Sequence, residues 1–77
     1  MNSPHDRIEV NDDLDNRFTY HPPKDGQTER YQLIRSAALG LARLITDNTP
    51  PSREQSLAFT HLENAVMWAN AAIARNE

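Results

Sequence analysis

The sequence predicts an all-α protein: an antiparallel helical hairpin with a short N-terminal segment, assembling into a compact homo-oligomer. Three observations carry this. Apolar residues recur at i, i+3, i+4 and i+7 along two long stretches, the spacing of a helix face. Pro50-Pro51 stands between the stretches and cannot continue the first one. The second stretch is apolar on more sides than one partner helix covers, and the chain offers no third long helix for the rest.

Residues 1–17 make a polar N-terminal segment. "VNDDLDNR", from Val10 to Arg17, sets three aspartates and two asparagines around Val10 and Leu14. It fits a short helix with Val10 and Leu14 facing one way. A frayed acidic tail fits equally well.

Residues 18–77 form the second unit, a loop plus a helical hairpin. It opens with "FTYHPPKDGQTERY", from Phe18 to Tyr31, where two aromatics and two prolines precede a helix that carries a third aromatic, Tyr31. Pro22-Pro23 donates no backbone hydrogen bonds and holds His21 extended. Asp25-Gly26 is turn chemistry, and Asp25 or Thr28 is expected to cap the helix. That helix is expected from Thr28 to about Asp47. Its apolar face reads Tyr31, Ile34, Ala37, Ala38, Leu41, Leu44 and Ile45. Gly40 inside it costs about 1 kcal/mol against alanine. Either a closely packed helix requires the glycine, or the fold tolerates it.

The second helix is expected from Ser52 to about Arg75. Ser52 and Gln55 have capping-box spacing, and Glu54 suits the positive end of the helix dipole. Ala58, Leu62, Ala65, Val66, Ala69, Ala72 and Ile73 form the main stripe. Phe59, Met67, Trp68, Ala71 and Ala74 form a second apolar set. Two helices joined by so short a link run antiparallel.

Composition narrows what supports such a fold. With 77 residues the chain makes one small domain at most. Folding then buries roughly 60% of the unfolded surface, and such domains need added support. Cysteine is absent, which excludes disulfides and thiolate zinc sites. The histidines at positions 5, 21 and 61 lack metal-ligand spacing, so no metal and no cofactor are expected. Self-association is what remains. The net charge of −3 argues against duplex nucleic acid as a partner, because phosphate neutralisation drives that binding. No apolar run approaches the roughly 20 residues of a membrane span. "MNSPHDRIEV" lacks the order of a signal peptide, so the expected compartment is the cytosol.

Catalysis finds no support: the chain holds no nucleophile elbow, no phosphate-cradling glycine loop and no HExxH, and an enzyme is not expected. Binding is better served. Tyr20 stands beside two prolines, and a stiffened aromatic suits stacking on a base. It equally suits packing on the helix below. Arg35 lies at the edge of the apolar stripe, in the helix half nearest the loop. Its fork matches a phosphate, although a surface arginine is ordinarily only solvated. Lys24 is a looser phosphate candidate. His21 has donors for a base or phosphate, or it serves only the turn. Arg53 sits at a helix start and Arg75 at a helix end, where the dipole alone accounts for it. His61, Met67 and Trp68 read as surface or packing residues.

Two segments carry a resemblance. "FTYHPPKDGQTERYQLIRSAALGLARLI" and "PSREQSLAFTHLENAVMWANAAIARN" resemble the small phage proteins that sequester cyclic-oligonucleotide signals. These are the anti-CBASS sponges, whose helical hairpin is shared with anti-Thoeris sponges. The resemblance covers about Phe18 to Asn76. It is most specific at Tyr-His-Pro-Pro and at Met-Trp-Ala-Asn-Ala-Ala. It implies a homohexamer that binds cyclic dinucleotides such as cGAMP in pockets between protomers, without cleaving them. Some members also hold cyclic trinucleotides on a threefold axis. It implies action in the cytoplasm of the infected bacterial host, where removing the messenger blocks CBASS-type signalling. Tyr20 would be the base-stacking tyrosine. Arg35 would be the phosphate residue, at a position where members often carry lysine. Arg75 is the candidate for the trinucleotide pocket. The alternative is a helical interaction module that inhibits a host protein by direct binding.

Overall fold

The computed structural model describes residues 13–77. Val10, its expected pairing with Leu14 and most of the polar segment 1–17 lie outside them. The described residues are helical, with no strand among them. Helix α1 covers 13–18, α2 spans Gln27–Asn48 and α3 spans Arg53–Asn76. Residues 13–17 are thus helical, and Phe18 closes that helix instead of opening the loop. An Arg17–Asp13 ion pair at i, i+4 spacing, 3.0 Å long, spans α1.

The start of α2 differs from the expected cap. Neither Asp25 nor Thr28 caps it. Gly26 is the N-cap, in the left-handed region at φ 81°, and no side chain caps the helix. Gln27 ties the turn instead. Its backbone N–H donates to the Lys24 carbonyl at 3.0 Å, and its Oε1 accepts from the Lys24 N–H at 3.0 Å. A left-handed residue one step before the helix is what glycine permits at no steric cost.

Side chains close the far end of α2. Thr46, Asn48 and Thr49 donate to the carbonyls of Ala42, Leu44 and Ile45, which lie in the last turns. Pro50 and Pro51 then enforce the break, and Ser52 caps α3 by accepting from the Gln55 N–H at 3.1 Å. Only this half of the expected capping box forms. The Gln55 side chain instead donates to the carbonyl and hydroxyl of Thr49.

α2 and α3 pack along one seam. Tyr31, Ile34, Ala38, Ala42 and Ile45 are half-buried on α2, as are Ala58, Phe59, Leu62, Val66, Ala69 and Ile73 on α3. The expected stripes are therefore corrected in part. Ala37, Leu41 and Leu44 on α2, and Ala65 and Ala72 on α3, are exposed, while Ala42 lies in the seam. No apolar residue among those described is fully buried. Gly40 has open space around the position a Cβ would take, so packing within the hairpin does not require it.

Candidate functional site

The seam leaves a groove on each side. One, of about 360 Å³, is lined almost wholly by apolar side chains, including Ile34, Ala37, Leu41, Ala65 and Ala69. The other, of about 320 Å³, holds Arg35 with Leu39, Phe59, Glu63 and Val66. Arg35 is exposed there, on the side of α2 that the seam leaves open. Glu63 lines the same groove and opposes an incoming anion.

Tyr20 lines neither groove. It is 79% exposed, in a stretch without regular secondary structure. The Arg35 groove therefore does not include Tyr20. The loop under Tyr20 is anchored at both ends. His21 Nε2 lies 2.7 Å from the Asn16 carbonyl, and Lys24 bonds Gln27 as described. His21 and Lys24 thus have internal partners, and the Lys24 ammonium donates to the Glu77 backbone oxygen.

Arg75 falls in a different place. It lines a cleft of about 460 Å³ between α1 and the end of α3, with Asp13, Asn16, Arg17, Phe18, Trp68 and Asn76. Two guanidinium groups and two exposed aromatic faces meet there, the residue types that stack bases and hold phosphates. Trp68, read from sequence as a packing residue, is 69% exposed in this cleft. Sequence reading also missed Arg17 and Phe18 as neighbours of Arg75. Nothing in the local pattern connects residues so far apart along the chain.

Electrostatically, the most perturbed groups lie elsewhere. Arg30 grips the Glu77 carboxylate with both ends of its fork, one bond measuring 2.8 Å. Gln27 Nε2 adds a longer contact at 3.4 Å. The Arg30 hydrogen bond pulls the Glu77 carboxyl down to about 2, helped by Gln27 and by the charges of Arg30 and Lys24, while desolvation opposes the shift. The same hydrogen bond raises Arg30.

Among the described residues no cluster of His, Cys, Asp or Glu has the arrangement to hold a metal ion. No described helix is long and apolar enough to cross a membrane. No curated protein and no solved structure matches the chain significantly. A family model described as "Acb2/Tad1, hairpin domain" does match, over residues 11–74, as far as the last turn of α3. The chain belongs to this family of anti-CBASS and anti-Thoeris sponges, which is known for sponging cyclic nucleotides.

Proposed function

We propose that this chain is a non-catalytic sponge. It binds cyclic dinucleotides, with cyclic trinucleotides as the second ligand class, and withholds them from CBASS-type signalling in the cytoplasm of the infected host. The observation that carries this reading is the family match across residues 11–74.

The protomer's geometry supports a pocket shared between chains. Tyr20 and Arg35 are both exposed and do not share a groove on one protomer, which is in keeping with a site completed by a second copy. A twofold contact would bring each residue in twice: two rings for two bases and two forks for two phosphates. Lys24 and His21 would set the loop's edge. Arg75, with Trp68 and Phe18 beside it, is the place for the second ligand class.

Other features call for the same assembly, for which a homohexamer is the proposed form. Leu33, Leu44, Met67 and Trp68 are all more than half exposed. Within the described residues, Oδ1 of the half-buried Asn70 is enclosed without a hydrogen-bond partner. An orphaned amide oxygen costs about 1–3 kcal/mol, and a donor from a second chain would relieve it.

Incubation with a panel of cyclic dinucleotides and trinucleotides, followed by heat release and chromatography, tests the reading. Recovery of intact ligand is expected. Degraded ligand would make the protein an enzyme. No capture would favour the interaction module, with the exposed Trp68 and Met67 meeting a host protein.

A further inference from the structure

The two ends of the hairpin meet in a polar clasp around Glu77. Glu77, just past α3, accepts from Arg30 and from Gln27, and its backbone oxygen accepts from Lys24. These contacts join residues 47 to 53 positions apart. They lie at the base of the loop that carries Tyr20.

We infer that Glu77 is a positioning residue for the Tyr20 loop: by holding Lys24, Gln27 and Arg30 it fixes the backbone that presents the ring. The consequence for ligand rests on the sponge reading; the effect on the loop does not.

Gln27 is the centre of this arrangement. At 3% exposure it is the one buried residue among those described, and it is polar. Its backbone N–H and side-chain oxygen close the turn onto Lys24 from both sides, while its side-chain NH₂ faces Glu77. A buried amide held in this way has one orientation. Neutralising the carboxylate weakens the acceptor of this donor and loosens Arg30, which favours rotation of the amide and release of the Lys24 N–H. Between Lys24 and Tyr20 stand Pro22 and Pro23, whose φ angles are fixed. The second anchor is His21 on Asn16. A stiff link between two anchors carries any movement of Lys24 toward Tyr20. The ring has no tight packing of its own to resist this, being mostly exposed. The α2–α3 seam, in contrast, is apolar and does not depend on Glu77.

The test uses the full chain without ligand. Amide hydrogen exchange is followed by NMR in the wild type, in Glu77→Gln, and in the charge-swapped double variant Arg30→Glu, Glu77→Arg. In Glu77→Gln, protection of the Lys24 and Gln27 amides is expected to fall about tenfold, and the Gln27 side-chain NH₂ resonances to move. Seam amides such as Leu62 and Val66 should stay within about twofold. The charge swap re-forms the ion pair but offers the Gln27 NH₂ no acceptor, so protection should stay low there as well. Unchanged Lys24 and Gln27 amides in Glu77→Gln would overturn the inference. So would a uniform loss along α2 and α3, because Glu77 would then be a general stabiliser. A parallel titration with a cyclic dinucleotide should show weaker binding by Glu77→Gln and by the swap. If the wild type captures no nucleotide, the sponge reading fails, and the exchange data still decide the role of Glu77.

Discussion

Replacing Trp68 by alanine separates a self-contained protomer from an assembled one. In the protomer the indole is 69% exposed. With roughly 200 Å² available to a tryptophan side chain, about 140 Å² is left for a partner to cover. At about 25 cal/mol per Å², covering it contributes about 3–4 kcal/mol per protomer. An exposed tryptophan in a monomer contributes almost nothing, and its truncation should stay within about 0.5 kcal/mol. The two outcomes differ by several-fold, well beyond measurement error. Trp68→Ala is therefore expected to dissociate the oligomer at micromolar concentration, and Trp68→Asp to do so more completely by placing a charge in the contact. Sedimentation equilibrium and urea unfolding, each run across a wide range of protein concentration, read this directly. The wild-type midpoint should rise with concentration, as mass action requires of a fold completed by association. A wild type that sediments as a folded monomer, with a midpoint independent of concentration and unmoved by Trp68→Ala, would refute the reasoning.

Four further outcomes are expected. Tyr20→Ala should remove roughly 1–3 kcal/mol of stacking per base, and Arg35→Ala about 1.5–3 kcal/mol per charge-assisted hydrogen bond, by calorimetric titration with cyclic dinucleotides. Binding unchanged in both would place the pocket elsewhere. Gly40→Ala should raise thermal stability by about 1 kcal/mol, since the protomer leaves its Cβ room; a loss would mean that another chain packs against that turn. The Glu77 carboxyl is lowered to about 2, chiefly by Arg30, so its stabilisation is complete above the ordinary carboxylate range near 4.3 and fades as pH falls toward 2. Acid titration should show this fade in the wild type, weaker in high salt, and a flatter profile in Glu77→Gln. Deletion of residues 2–10, which precede the family match, should leave nucleotide capture intact by the same calorimetry.

The helices were legible because their signals are local. A stretch expected from Thr28 to about Asp47 forms Gln27–Asn48, and Pro50-Pro51 breaks the chain where two missing N–H groups must. The cap of α2 was not legible. The side-chain NH₂ of Gln27 meets Glu77, fifty residues away, and no window of sequence contains both. The seam was half legible. Leu41, Leu44 and Ala42 occupy neighbouring rows of one helix, and hydrophobicity favours the leucines. The structure puts the alanine in the seam and leaves the leucines exposed. When a helix is apolar on several rows, periodicity says that all of them are covered by something. It does not say which one by its own partner. For the site, residue types could be named and their juxtaposition could not. Arg75 meets Phe18 and Arg17 only because α1 folds back to the end of α3.

The exposed leucines and the scattered site have one physical origin. A 77-residue chain that folds into two long helices has too little interior to enclose either a core or a ligand. Surface left uncovered by the hairpin is the only surface available for both tasks. If Tyr20 and Arg35 act on one nucleotide, they act across a contact between chains, and that contact is also what covers the apolar rows. Ligand and partner then stabilise each other. A nucleotide held by two protomers adds RT ln(1 + [L]/Kd) to the assembled state, and an assembled state supplies the second ring and fork before any ligand arrives. Such a site has its geometry fixed by the contact between chains, so the ligand need not supply the energy to organise it. That is the arrangement a sponge requires, because its effect depends on retaining the messenger and no chemical step removes what it has bound.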